Sequence, residues 1–343
     1  MLCYFISKKN LSIINCVEIN SYSIVHNLDC GGKTKITIAG NPNASDDDFV
    51  LLKDGNDIKF KGIIEKIDNS DGELKYNVSC LEIERIFDRK IVLSDDDMIK
   101  ATGIEDFIAT TISKYFSNSG DDFIDMAYIN CDVLTHTKVN SKPVAEDGIY
   151  NLKTYIGNIK EQYGIFLDFE FTKNNLQISI YKKEQSTMQI DTTTTDIVSC
   201  NETYKIQVLS KLSVVWFNPL TQATTMRYFY LHSNKNVSEE NKNRVVGTIS
   251  TIYIEAETEE EMIENARNEF KSNSYSHSIE AKIISISKIY PINELYVGHE
   301  VMIKTAAAGI KESIISEISF TDEADIITVK FGILKVTLTD KLK

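Results

Sequence analysis

The sequence predicts an α+β protein that is mainly β, with two similar antiparallel β-barrels, an α+β lobe between them and a helix-containing insertion in the second barrel. Alternating apolar segments with Asp-Gly turns occupy the start of the chain, and amphipathic helical stripes follow them. The strands at the end repeat those near the start. At 343 residues the chain is also too long for one ordinary core, so several domains are expected.

Residues 1–94 predict the first barrel. Two Asp-Gly turns, Asp54-Gly55 and Asp71-Gly72, supply the positive φ that a tight hairpin needs. The alternating segments around them are residues 35–38, 48–52, 63–67 and 76–80. Residues Tyr76, Val78 and Cys80 share one face of the last segment, as in an antiparallel unit with one buried face.

Residues 95–196 predict the α+β lobe. Ser94, followed by Asp95 to Asp97, is typical of a helix N-cap with acids in the first turn. Two apolar stripes at helical spacing follow, and they are formed by Ile104, Phe107, Ile108 and Ile112, then by Leu152, Tyr155, Ile156 and Ile159. Gly164 ends the second helix, and residues 165–171 and 176–180 form a hairpin around the turn at Asn174.

Residues 197–234 and 278–343 predict the second barrel, and residues 235–277 predict its insertion. The segments 213–217 and 225–230, on either side of the turn at Asn218-Pro219, are assigned to this barrel. Within the insertion, Thr258 and Glu261 form a capping box. The helix that it opens has apolar residues at Met262, Ile263, Ala266 and Phe270.

A constant shift in numbering places one end of the chain on the other. The shift that carries Ile63 onto Ile314 also carries the rest of the segment 63–67 onto 314–318, Asp71 onto Asp322 and Val78 onto Val329. The strand that precedes each block is taken to be 57–60 in the first and 300–303 in the second. These matches predict a duplicated barrel. Alternation alone also makes two amphipathic hairpins resemble each other, so chance similarity is the alternative.

Composition disfavours several classes of protein. The formal net charge of −13 opposes tight binding of nucleic acid, which depends on Lys and Arg. The N-terminal apolar run, Leu2 to Ile6, is too short for a signal peptide, and no stretch is long enough to span a bilayer. We therefore expect a protein that is made in the cytoplasm without a membrane anchor. The six cysteines are scattered and are interpreted as buried free thiols.

The sharpest catalytic candidate is Cys30, in Asp29-Cys30-Gly31-Gly32. This stretch resembles the nucleophile turn of cell-wall cysteine peptidases, in which a helix N-terminus lowers the pKa of the thiol. Here the following residues predict a strand, and His136 and His232 lie in no recognisable partner motif. Cys30 is therefore interpreted as a loop cysteine at a strand start.

No other motif carries chemistry. His299-Glu300 begins like a zinc protease motif, but position 303 is Ile. The acidic clusters 46–48, 95–97 and 121–122 lack the spacing of a calcium loop, and neither Gly31-Gly32 nor 306–309 is a phosphate loop. Trp216 lies in a predicted strand and is interpreted as packing. The sequence therefore predicts no catalytic, cofactor-binding or metal-binding residue.

The order of barrel, lobe, second barrel with insertion and closing segment resembles the tail-hub proteins of bacteriophages, including the prophage endopeptidase-tail or tail-associated proteins of Gram-positive phages. Residues 295–303 and 329–339 are the most similar to that family. The resemblance implies a structural baseplate protein at the virion tail tip, made in the host cytoplasm. It implies a homotrimer whose six barrels form a ring around the DNA channel, with the distal tail protein, the tape-measure protein and a tail fibre or receptor-binding protein as partners.

Two other functions stay open. The first is a cell-wall peptidase that acts during penetration, which needs a nucleophile or a metal site. The second is a receptor- or glycan-binding tail-tip module, which usually shows exposed aromatic clusters on loops. The tyrosines and phenylalanines of this chain instead fall mainly at strand and helix-face positions.

Overall fold

The computed structural model describes residues 1–69, 74–92, 101–121, 125–138, 149–184, 188–204, 208–234, 236–272, 277–307, 309–322 and 325–332. This part of the chain is mainly β, as predicted, with three α-helices. Several sequence features fall outside the described residues, namely the turn at Asp71-Gly72, the segment 94–97, Asp122 and the closing residues 333–339.

Six antiparallel strands make up the first β unit. They are β1 (Leu2–Ile6), β2 (Ile13–Asn27), β3 (Thr34–Ala39), β4 (Phe49–Asp54), β5 (Asp57–Asn69) and β6 (Lys75–Glu82). The strand order is β1-β4-β5-β6-β3-β2, and β2 also pairs with β1, so the pairing returns to its start. The predicted turn at Gly55 is confirmed, with φ of 59° and Asp54 opposite Asp57.

Six later strands make up the second β unit. They are β12 (Met188–Asp191), β13 (Ile197–Tyr204), β18 (His277–Ile284), β19 (Glu300–Thr305), β20 (Gly309–Thr321) and β21 (Ile326–Phe331). They pair in the order β12-β19-β20-β21-β18-β13. When the strands of each unit are numbered along the chain, both units have the order first, fourth, fifth, sixth, third, second. One orientation differs, because β12 is parallel to β19 whereas β1 is antiparallel to β4.

The register of the two units agrees at the shift that carries Ile63 onto Ile314. Phe49 faces Ile63 as Glu300 faces Ile314. The pairing of β5 with β6 is irregular at Glu65, and that of β20 with β21 is irregular at the equivalent Ser316. Bulges are specific local features of a strand pair, so a shared bulge is stronger evidence of repetition than alternation is.

A second shared bulge appears in the remaining strands. It lies after Ile19 where β2 pairs with β3, and after Ile197 where β13 pairs with β18, so Ile19 and Ile197 are equivalent. The comparison of the two units also corrects one predicted correspondence. The strand equivalent to β19 is β4, whereas residues 57–60 lie in the same strand as 63–67.

The lobe follows the first unit. It contains β7 (Lys90–Val92), α1 (Ile104–Ile112), β8 (Ile129–Val133), β9 (Ile149–Asn151), α2 (Leu152–Tyr163), β10 (Ile165–Phe171) and β11 (Leu176–Lys182). Both apolar stripes are buried as predicted. Gly164 ends α2 in the left-handed conformation, and Asn151 caps its start through Thr154 N. Helix α1 begins after Gly103, and the predicted cap at Ser94 lies outside the described residues.

The residues that follow β13 and precede β18 in the sequence form a separate sheet. It consists of β14 (Leu209–Asn218), β15 (Ala223–Leu231), β16 (Val237–Ser238) and β17 (Thr248–Glu255), and it packs on α3 (Glu259–Ser272). The assignment of 213–217 and 225–230 to the sheet of the second barrel is therefore wrong. Periodicity identifies a strand but not the strand beside which it lies. One bond of the predicted capping box is present, with Thr258 Oγ1 accepting from Glu261 N, and Glu261 Oε2 accepts from Glu257 N, one residue before Thr258.

Strand β4 shows how the lobe is held. Its residues Val50 and Leu52 lie in the core of the first unit, whereas Phe49 and Leu51 lie in a core shared with the lobe. All four are buried, which explains the uninterrupted apolar run Phe-Val-Leu-Leu. The equivalent β19 buries Val301 and Ile303 but exposes Glu300, and no second lobe occurs among the described residues.

Candidate assembly interface

The two β units meet through one pair of strands. The end of β2 pairs antiparallel with the end of β20, with Ser23 opposite Thr321 and Asn27 opposite Glu317. Main-chain bonds continue beyond the ladder, because Leu28 N donates to Ser316 O over 2.9 Å. We call this pairing of residues 23–27 with 317–321 the internal joint. It makes one continuous sheet out of the two units.

Aromatic packing reinforces the internal joint. The Phe320 ring contacts the cores of both units. It lies edge-on to Tyr22, with ring centroids 6.4 Å apart, and 6.2 Å from the ring of His26. Such contacts add to the ladder, so the joint depends on side chains as well as on the main chain.

His26 and Glu82 are in hydrogen-bond contact beside the internal joint. His26 Nδ1 lies 3.0 Å from Glu82 Oε1, and His26 Nε2 lies 3.2 Å from the Lys59 carbonyl oxygen. Burial alone would lower the pKa of His26, but the hydrogen bond to Glu82 and the charge of its carboxylate raise it above the ordinary value. Both ring nitrogens face acceptors, which fits a protonated imidazolium.

An ion pair connects the lobe to the first unit. Lys160 of α2 places its Nζ 3.5 Å from Glu84 Oε1, and both side chains are largely withdrawn from solvent. Burial lowers the pKa of Lys160, but neighbouring Cys30, Glu84 and Glu82 raise it more. Burial raises the pKa of Glu84 above its ordinary value, although the Lys160 charge opposes the change. Sequence reasoning missed both residues. Their one visible signal is that Lys160 follows Ile156 by four residues, on the buried side of α2.

The same helix also touches the second unit. A Cβ at Gly298 would lie 3.2 Å from the Phe166 ring and 3.4 Å from Lys160 Cγ, so the main chain comes close to the lobe there. The Tyr296 ring lies edge-on to Phe166 at 5.7 Å, and Lys183 Nζ lies 3.4 Å from its centroid. Burial lowers the pKa of Lys183. The lobe thus contacts both β units.

Cys30 does not have the environment of a nucleophile. Its side chain is 2 % exposed, and its φ of 53° places it in a turn before β3. Burial raises the pKa of the thiol well above its ordinary value, and the charge of Glu84 raises it further. A reactive cysteine needs the opposite shift and access to substrate. His136 Nδ1 lies 2.7 Å from Asp106 Oδ2, and His232 Nε2 lies 2.8 Å from Ser238 Oγ, so both imidazoles have other partners.

The other residues considered for metal binding or sugar stacking contribute to packing, turns and strands. His299 is 1 % exposed and stacks on Tyr296 at 4.4 Å, while Glu300 begins β19. Asp48 accepts from Lys8 N and Ser45 N, so it holds a turn. Among the described residues, no group of His, Cys, Asp and Glu side chains could hold a metal ion. Trp216 donates from Nε1 to Ala256 O, as expected of a packing residue.

One sheet face carries exposed aromatic residues. On the side of the β14–β17 sheet away from α3, Met226, Val215 and Tyr253 form one cross-strand row. Tyr253 is 59 % exposed, and Tyr228 on the same face lies under Lys211 Nζ at 4.5 Å. Within the residues that the structure describes, no helix is long and apolar enough to cross a bilayer.

Three strand edges in the β units carry no strand partner among the described residues, and one of them belongs to β12, which pairs only with β19. Beyond Ile63, β5 pairs with β6 on one edge only. Strand β13 pairs with β18 on one edge only. An open edge presents unpaired N–H and C=O groups that another strand can satisfy.

Comparison with known proteins finds no similarity in sequence, because no family model and no curated protein matches the chain. Solved structures do match in fold. Prophage tail protein gp18 from Listeria monocytogenes shares 11 % identity at a TM-score of 0.58, over 100 % of this chain and 97 % of that one. The 43 kDa tail protein of prophage MuSo2 from Shewanella oneidensis shares 12 % identity at a TM-score of 0.55, over 97 % and 98 % of the two chains.

A chain in the structure of the phage P2 baseplate in its activated conformation also matches. It shares 10 % identity at a TM-score of 0.51, over 96 % of this chain and 98 % of that one. At these identities the likeness concerns the fold. The described chain therefore has, over nearly its whole length, the fold found in prophage tail and phage baseplate proteins.

Proposed function

We propose that this protein is the structural hub of a phage or prophage tail, and that it forms a ring that closes the distal tail tube around the DNA channel. The observation that carries the proposal is the repeated strand order, register and bulges of the two β units. Two equivalent units per chain turn three chains into six similar positions. The fold shared with tail and baseplate proteins supports the same function.

The division of the chain follows from sheet membership. We propose that the two β units are the two hub barrels, with the lobe at residues 83–184 and the insertion at 208–272. Three chains of 38.8 kDa form the ring. The distal tail protein, the tape-measure protein and a tail fibre or receptor-binding protein are the proposed neighbours. The net charge of −13 supports passage of DNA without binding, because like charges repel.

Labelling of intact particles tests the proposal. Antibody raised against the purified chain should decorate the tail tip in electron micrographs, and quantitative mass spectrometry of particles should give three copies per tail. Decoration along the tail shaft, or absence of the chain from particles, would contradict the hub function. A monomer in dilute solution leaves the test on particles unaffected, because hubs can require the assembled tail to associate.

The receptor-binding alternative rests on one observation, the exposed face with Tyr228 and Tyr253. If this face bound a surface glycan, Tyr253→Ala particles should adsorb to cells at least tenfold more slowly than unmodified particles. We expect no such change from a hub. A matched control is Thr251→Ala, an exposed position on the same strand.

A further inference from the structure

The internal joint is a contact between unlike edges. The first unit contributes the end of β2, and the second contributes the end of β20. A contact of this kind uses a different surface on each partner. The first unit therefore keeps an unused edge of the β20 type, and the second unit keeps an unused edge of the β2 type. Unlike edges can be joined again by a further copy, and the series ends only when a ring closes.

The two leftover edges can be identified by position. The shared bulges make Ile19 of β2 equivalent to Ile197 of β13, and Glu65 of β5 equivalent to Ser316 of β20. In the internal joint Val25 lies opposite Ser319. Counted from those bulges, the counterparts of these two residues in the other units are Thr203 and Asp68.

These counterparts lie on the edges already described as open. Residues 66–69 of β5 continue the edge that β4 occupies up to Ile63, as 317–321 of β20 continue the edge that β19 occupies. In β2, Ser23 pairs with β3 on one side and with β20 on the other. In β13, Asn201 pairs with β18, and its opposite edge meets no strand in the described chain.

The residues on both open edges are more exposed than their counterparts in the internal joint. Asp68 and Asn69 are exposed, whereas their counterparts Ser319 and Phe320 in the internal joint are half-buried. Thr203 is exposed, and its counterpart Val25 is half-buried. Equivalent positions thus differ in the direction expected if one joint is formed within the chain and the other awaits a second chain.

We propose that β13 of one chain pairs antiparallel with β5 of the next chain, in the register that places Thr203 opposite Asp68 and Glu202 opposite Asn69. This inference rests on the proposed hub, and it names the surface through which the ring closes. The contact repeats the internal joint between chains, so the same kind of strand pair occurs six times around a trimer. It also removes two open strand edges per chain.

Disulfide trapping tests the register. In a Cys16→Ser background, which removes the exposed cysteine, Asp68→Cys and Thr203→Cys are combined in one chain. Opposite Cβ atoms in an antiparallel pair lie about 4.5–5.5 Å apart, close enough for a bridge after small adjustments. Mild oxidation of assembled particles should convert most of the chain into a covalent trimer, with a dimer as intermediate, on a non-reducing gel. Reductant should restore the monomer band.

Two matched variants control the chemistry and the register. Val25→Cys with Ser319→Cys is the equivalent pair in the internal joint, and it should form a bridge without any increase in mass. Lys66→Cys with Thr203→Cys is displaced from the proposed register by two residues, so the Cβ atoms would lie roughly 7 Å apart or more. It should give at least tenfold less trimer. Thermal unfolding of each variant confirms that the chain is folded.

The outcomes separate this interface from the hub itself. If quantitative mass spectrometry finds three copies per tail, and the internal pair bridges but the 68–203 pair does not, then the proposed interface is wrong and the hub proposal stands. Equal trapping of the out-of-register pair also overturns it. If particles lack the chain or hold another number of copies, the hub proposal fails, and the interface fails with it.

Discussion

Lys160 Nζ lies 3.5 Å from Glu84 Oε1, with the two side chains only 9 % and 12 % exposed. The pair joins α2 of the lobe to the segment that follows β6, next to Glu82 and the internal joint. A buried pair is costly to break, because the remaining charge loses its partner and cannot reach water.

We expect Lys160→Met to lower the free energy of unfolding by about 3–5 kcal/mol at pH 7. The double variant Lys160→Met with Glu84→Gln should recover part of this loss, since no uncompensated charge remains. Urea denaturation measures both. Lys182→Met, on an exposed lysine at the end of β11, is the control and should change stability by about 0.5 kcal/mol or less. A double variant no more stable than the single one would contradict the buried-pair explanation.

Glu161 should make stability depend on pH. Burial raises the pKa of its carboxyl to about 7 from an ordinary value of 4.5. The folded state therefore holds this proton more tightly, so the stability it contributes is full below about pH 4.5 and is lost as pH rises through 7. Glu161→Gln should be more stable than the natural chain by about 1–3 kcal/mol at pH 8 and nearly equal at pH 4.5.

Chemical denaturation at the two pH values checks this difference. Glu170→Gln is the control, because Glu170 is exposed on a neighbouring strand. A gain from Glu161→Gln of equal size at both pH values would show that its carboxyl is not the titrating group.

Two glycines should respond to alanine in opposite directions. A Cβ at Gly62 would clash with the Leu81 carbonyl oxygen, so Gly62→Ala forces the β5–β6 pair apart. We expect a loss of about 1–3 kcal/mol in the free energy of unfolding. Gly157 lies inside α2, where a Cβ would meet only the Leu28 carbonyl oxygen at 3.7 Å. Gly157→Ala should therefore gain about 0.5–1 kcal/mol. Parallel urea titrations compare them.

Thiol labelling tests the environment of Cys30. At pH 8 iodoacetamide should modify exposed Cys16 first, whereas the buried Cys3, Cys30 and Cys80 should react only after unfolding. Mass spectrometry of peptides identifies the modified residues. Rapid labelling of Cys30 in the folded chain would contradict its burial.

Zymography on peptidoglycan addresses the peptidase alternative directly. We expect no clearing from the purified chain, because a buried thiol with a raised pKa is not a nucleophile. Clearing that disappears in Cys30→Ala would favour the peptidase over the hub. Cys80→Ala is the control for effects of cavity formation, since Cys80 is also fully buried.

Local patterns predicted local structure well. The stripe of α2 and its stop at Gly164 are found as expected, and so is the bond from Glu261 N to Thr258 Oγ1 at the start of α3. The shift that carries Ile63 onto Ile314 also agrees with the register, because the two strand pairs have a bulge at the same position. The helix stripe, its stop and the helix cap depend on residues within a few positions of each other.

Sheet partners and buried charges were not predictable in the same way. Strands β14 and β15 alternate like those of the second unit, yet they pair with each other and β14 pairs with β17. Strand β12 has four residues and shows no pattern by itself. Lys160, Glu84 and His26 look like solvated residues in the sequence, since charged side chains are buried only when the tertiary structure supplies partners.

The different faces of β4 and β19 bear on what the proposed collar offers its neighbours. Phe49 and Leu51 lie under the lobe, while their counterparts Glu300 and Met302 do not. In the proposed ring, first and second β units would therefore alternate around the channel. Only the three first units would carry a lobe on this face. A neighbouring protein that contacts only the β units can then have sixfold symmetry. One that contacts the lobes would meet threefold symmetry.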